Sequence, residues 1–132
     1  PTRSLRVTGA YTYANAIERS PVVGDVLQTA VIPRNQFSLL VTEQPTSRLL
    51  FSFDTAVSSS YLGPIYGDVV TQTYRFGGMH KLNAGASYRI PMREYQTIRL
   101  FVRASNILNE TYFENGFLTP GRTALGGLQF EF

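Results

Sequence analysis

Cysteine is absent from the 132-residue chain, so neither a disulfide framework nor a thiolate metal site can form. Tryptophan is absent too, and tyrosine and phenylalanine supply all of the 13% aromatic content. Charge is scarce, at 16% of residues against about a quarter in an ordinary domain. Disordered chains are usually rich in charge and poor in aromatics, so this balance argues for a folded chain. The surplus of +3 is small and its arginines are scattered. Phosphate tracking needs clustered cations, and nucleic-acid binding is not expected. No stretch approaches the ~20 apolar residues of a membrane-spanning helix. The chain opens at Pro1 without methionine, basic n-region or apolar h-region, so an envelope protein read from it is expected to be a mature piece or a fragment.

Chemistry-bearing constellations are missing as well. His80 is the single histidine, and carboxylates such as Asp68 or Glu114 are not spaced to join it around a metal. No nucleophile elbow, phosphate loop or paired-carboxylate arrangement is present, and neither catalysis nor a cofactor is expected.

What the chain does have is a period of two along most of its length. Strands are expected over Leu5–Ile17, Gln36–Thr42, Leu49–Ser58, Lys81–Ile90, Thr97–Asn106 and Arg122–Phe132, with proline and glycine falling mostly between them. One parity carries Leu5, Val7, Tyr11 and Tyr13, then Phe37, Leu39 and Val41, then Phe51, Phe53 and Val57. It continues through Leu82, Ala84, Ala86, Tyr88 and Ile90, then Ile98, Leu100 and Val102, then Leu128, Phe130 and Phe132. Within these strands every charge but Arg122, at the first position of the last strand, falls on the other parity: Arg6, Asp54, Lys81, Arg89, Arg99, Arg103 and Glu131. A lipid-facing barrel wall requires this division, since a midplane Arg or Lys against lipid costs roughly 2–4 kcal/mol. The buried face of a soluble β-sandwich is equally apolar, so parity alone does not separate the two.

Connection lengths do. Residues 43–48 and 91–96 make two short links, whereas residues 18–35, 59–80 and 107–121 make three long ones, in strict alternation. Compact domains usually avoid loops above ~12–15 residues. Outer-membrane barrels pair short periplasmic turns with long outer loops. With the short turns periplasmic, Phe130, Phe132 and Tyr88 fall near an inner aromatic girdle and Tyr11, Tyr13 and Phe37 near an outer one. The expectation is therefore an all-β, antiparallel up-and-down segment of a transmembrane β-barrel with six strands.

The stretch from Phe101 to Tyr112, with Asn106-Ile107-Leu108-Asn109 at its centre, resembles the penultimate-strand signature of TonB-dependent receptors. Gly121-Arg122-Thr123 and the alternating run to Phe132 are similar to the start and end of that family's final strand. Gly9-Ala10-Tyr11-Thr12-Tyr13-Ala14-Asn15-Ala16 and Pro33-Arg34-Asn35 resemble further elements, in the family's order. The family commonly has larger or more polar residues than Ala104-Ser105 before Asn106, which is a departure.

The resemblance implies that residues 1–132 are the C-terminal strands of a barrel of about 22 with a plugged lumen, the plug domain and earlier strands lying outside this sequence. It implies outer-membrane localisation and import of a scarce nutrient: a ferric siderophore, cobalamin or a glycan. The partners implied are outer-membrane lipid, the remaining strands and plug, the TonB energy-transducing complex and the barrel-assembly machinery. Leu128, Phe130 and Phe132 would form the assembly signal. Tyr61, Tyr66, Tyr74, Arg75 and His80, on a long outer loop, are candidate contacts to a small molecule or metal chelate, since aromatics and cations grip such ligands by stacking and charge. Asp54, Lys81, Arg89, Arg99, Arg103 and Glu131 would line the lumen and face the plug. Two other classes compete: a non-transporting outer-membrane barrel such as an adhesin, and a soluble β-sandwich or lipocalin-like binder.

Overall fold

The computed structural model describes residues 4–19, 26–28, 32–66, 71–93, 96–114 and 117–132. Twelve strands are present among them: β1 Ser4–Tyr13, β2 Ile17–Arg19, β3 Val26–Gln28, β4 Asn35–Gln44, β5 Leu49–Ser58, β6 Tyr61–Tyr66, β7 Thr71–Phe76, β8 His80–Arg93, β9 Gln96–Ser105, β10 Phe113–Glu114, β11 Phe117–Leu118 and β12 Thr123–Glu131. Six of them form one antiparallel sheet in the order β1-β4-β5-β8-β9-β12, a meander whose neighbours in space are neighbours in the chain once the short hairpins are set aside. The sheet is open, with β1 and β12 as its outer strands.

These are the six expected strands. β5 has the expected bounds, and β4, β8 and β9 run one to three residues past an expected end. β1 is shorter than expected: it stops at Tyr13, and Ile17 belongs instead to β2, which pairs with β3. At the break, the Ala14 N–H donates to the Arg34 carbonyl at 2.8 Å. The three long connections are not plain loops; each carries a two-stranded hairpin, β2-β3, β6-β7 or β10-β11.

Register decides what the sheet presents. Val7 lies opposite Val41, Val41 opposite Phe53, Phe53 opposite Ala84, Ala84 opposite Ala104 and Ala104 opposite Ala124. Directly opposed residues share a face, so the apolar parity of all six strands merges into one surface. That surface is bare: Val102 is 54% exposed and Leu128 62%. No second sheet covers it among the described residues, as the buried side of a sandwich would require. The longer strands bring Glu43, opposite Leu5 and Phe51, His80, opposite Val57, and Arg93, opposite Gln96, onto this face, but only at its two rims.

The ends of the sheet differ. At one end the chain turns tightly; between β4 and β5 the Thr46 hydroxyl accepts the N–H groups of Arg48 and Leu49 at 3.3 and 3.1 Å, a side-chain-closed turn of the kind threonine favours. At the other end lie the three buried apolar side chains among the described residues, Tyr61, Phe76 and Tyr112. Tyr61 stacks on Phe76 with ring centroids 5.4 Å apart, and Phe76 meets Phe113 at 5.4 Å. The Tyr61 hydroxyl donates to the Phe113 carbonyl at 2.8 Å, so hairpins β6-β7 and β10-β11 are clasped together. Gly63 makes room for this cluster, since a Cβ there would lie 2.6 Å from the Phe76 ring.

Candidate functional site

The polar face of the sheet gathers the expected inward residues. Arg6 on β1, Asp54 on β5, Lys81 and Arg89 on β8, Arg99 and Arg103 on β9 and Glu131 on β12 all lie on the side opposite Val41 and Leu100 by register. Their arrangement is uneven. Toward the long connections, Asp54 accepts the Asn83 amide and pairs with Arg103, whose Nη2 is 3.3 Å from Oδ1. Toward the short turns, Arg89 lies directly opposite Arg99. Between these regions is an open concavity of about 330 Å³, lined by Ser52, Gly85, Arg99, Phe101, Arg103 and Gln129 among others.

Above Asp54 the polar network continues into the last long connection. The Asn83 carbonyl oxygen accepts the Asn106 N–H at 3.0 Å. Asn106 donates its amide to the carbonyls of Glu110 and Pro120 at 2.9 and 3.2 Å and accepts the Glu110 N–H at 3.0 Å. Its own carbonyl accepts the Asn109 N–H at 2.8 Å. The backbone is left-handed at Asn106 and Asn109, with φ of 50° and 56°, a region asparagine tolerates better than most residues. Asn109 then caps the start of β12 by accepting the Arg122 N–H at 2.9 Å. The Asn106-Ile107-Leu108-Asn109 segment is thus a folded knot that fixes where β12 begins. The signal for it was the pair of asparagines three apart after a strand; nothing in the pattern pointed to Asn83 as their anchor.

The five loop residues proposed as ligand contacts do not converge on one face. Tyr61 and Tyr74 share one side of the β6-β7 hairpin, opposite Phe76 and Gly63, while Arg75 takes the other side, opposite Leu62. Tyr61 is consumed by packing, being 6% exposed. Tyr74 and Arg75 are exposed; the Tyr74 hydroxyl donates to Gln72, and Arg75 reaches the Ser60 hydroxyl at 3.3 Å. His80 is exposed at the first position of β8. Tyr66 closes β6 opposite Thr71, and its side chain lies outside the described portion, as does Asp68 altogether. A cleft of about 210 Å³ between the sheet rim and the hairpins is lined by Pro33, Gln36, Ser58, Tyr61, Phe113 and Glu114, together with Met79.

Leu128 and Phe130 occupy the apolar side of β12 opposite Leu100 and Ile98, and Phe132 projects beyond the strand, fully exposed. No group of histidine and acidic side chains among the described residues is placed to hold a metal ion. No protein-family model and no solved structure matches the chain.

Proposed function

We propose that this chain is a wall segment of an outer-membrane TonB-dependent receptor, a ligand-gated transporter for a scarce nutrient such as a ferric siderophore, cobalamin or a glycan. One observation carries the membrane half of the reading: six strands in register present a continuous, uncovered apolar face, with charge held to the opposite face or the rims. Water does not favour such an area, since exposed apolar patches on soluble monomers seldom exceed a few hundred Å². Lipid does. Hairpin-bearing connections at one end and short links at the other match the asymmetry of an outer-membrane wall, whose long loops face outward.

The transport half rests on the resemblance of the segment from Phe101 to Tyr112 and of the final strand to the receptor family. On this reading the polar face lines a plugged lumen, the paired hairpins form part of the outer vestibule, and Leu128, Phe130 and Phe132 serve assembly. The chain supplies no catalysis.

These 132 residues contain no cysteine, and any cysteine elsewhere in the intact polypeptide is first replaced by serine. Single cysteines are placed along β9 at Leu100, Phe101, Val102 and Arg103 in the intact polypeptide, in native outer membranes. A membrane-impermeant maleimide is expected to spare Leu100→Cys and Val102→Cys while a lipid-dissolved probe labels them, with Phe101→Cys and Arg103→Cys protected from the lipid probe. Equal aqueous labelling at all four positions removes the membrane reading. Transport is tested separately by the polypeptide upstream: a plug-sized domain of about 100–150 residues supports it, and its absence leaves a non-transporting barrel.

A further inference from the structure

Arg89 and Arg99 are directly opposed on neighbouring strands, and like charges in that position destabilise a sheet. A third cation joins them. The Arg48 carbonyl accepts the Arg89 N–H at 2.8 Å, fixing the β4-β5 turn beside β8. Arg48, Arg89 and Arg99 then line one cavity of about 60 Å³, with Gln44, Ser47 and Ser87 as further polar groups and Leu49 and Leu50 as its apolar part. Arg48 and Arg89 are exposed, whereas Arg99 is half-buried and its Nε is shut off from solvent with no hydrogen-bond partner among the described residues. A withdrawn guanidinium N–H without an acceptor is costly.

No described carboxylate lines this cavity. Asp54 is engaged by Arg103 and Asn83, and Glu131 lines a different hollow, beside Met92, Ile98 and Phe130. Three cations, an orphaned donor and a partly polar wall therefore surround a space holding about two waters' worth of volume. That is too little for a metal chelate or a sugar. It suits a single oxyanion group, which guanidinium forks bind in bidentate fashion.

We propose that Arg48, Arg89 and Arg99 form an oxyanion-binding site on the polar face beside the short turns, filled by a carboxylate or a phosphate. The two sources are an acidic side chain from another segment of the polypeptide and free phosphate. The site does not depend on what covers the apolar face, so it stands or falls apart from the membrane reading.

The test follows thermal unfolding of the intact polypeptide in detergent, titrated with inorganic phosphate and with chloride at matched ionic strength, for wild type, R99Q and R48Q. Arg48 lies in an exposed turn where its carbonyl makes the structural contact, so R48Q folds even if R99Q does not. A free-phosphate site gives a Tm that rises with phosphate but not chloride, and about tenfold or greater loss of phosphate affinity in the variants. A seated carboxylate gives no phosphate response, with a lower Tm in the variants. The proposal is overturned if phosphate acts equally on all three proteins. It is equally overturned if phosphate does nothing and the variants keep or raise Tm, which is what relief of arginine repulsion alone produces.

Discussion

The side-chain carbonyl of Asn83, on a central strand, accepts the backbone N–H of Asn106 at 3.0 Å, and both residues are almost fully buried. This bond seats the connection to β12 against the sheet. Asn106→Asp keeps the shape but replaces the amide donor, turning an acceptor toward the carbonyls of Glu110 and Pro120. The expected cost is about 2–4 kcal/mol, from buried groups left unpaired. Thermal unfolding of the intact polypeptide reads it; a variant as stable as wild type contradicts the role given to Asn106.

Asp54→Asn is expected to be mild by contrast. Its ion pair with Arg103 is open to solvent, with side chains 35% and 58% exposed, and exposed pairs contribute about 0–1 kcal/mol. The same unfolding assay should place it within that range, and a loss as large as that of Asn106→Asp would mean the network is organised around Asp54 instead.

Leu100→Arg and Ser38→Arg separate the two faces. Leu100 lies opposite Tyr88 and Leu128 on the apolar side, and Ser38 opposite Ala10 and Ala56 on the polar side. Against lipid, Leu100→Arg loses about 2–4 kcal/mol and folded yield in the outer membrane falls, while Ser38→Arg changes little. Equal yields for the two variants would count against lipid contact.

Tyr61→Phe removes the clasp between hairpins and leaves the Phe113 carbonyl without that donor. Amide exchange is expected to speed up at Phe113, Phe117 and Leu118 while β5 and β8 are unchanged, at a cost of about 0.5–1.5 kcal/mol. Unaltered exchange in β10-β11 would show that the stacked rings alone hold the hairpins.

Strand positions and faces were legible because each strand contrasts its two sides, as Phe51-Ser52-Phe53-Asp54 does; parity restricts partners to one face but leaves slips of two residues open. The hairpins inside the long connections were not. Tyr61-Leu62-Gly63-Pro64-Ile65-Tyr66 reads as a turn because of its Gly-Pro step, yet Pro64 pairs with Thr73 in a two-stranded ribbon, where every strand is an edge and proline is tolerated. The break after Tyr13 was missed because Ala14-Asn15-Ala16 holds no proline or glycine; its one signal is Asn15, a polar residue on the apolar parity. Asn83 looked like one more lumen-side polar residue; its partners are 23 and 29 positions away, beyond any local pattern.

Five successive antiparallel pairings leave β1 and β12 pointing in opposite directions. A cylinder that keeps this alternation all the way round can therefore be completed only by an even number of additional staves, and an odd insertion would force one parallel seam. Were the proposed barrel to close, the parity of its further staves would be constrained before any of them is seen.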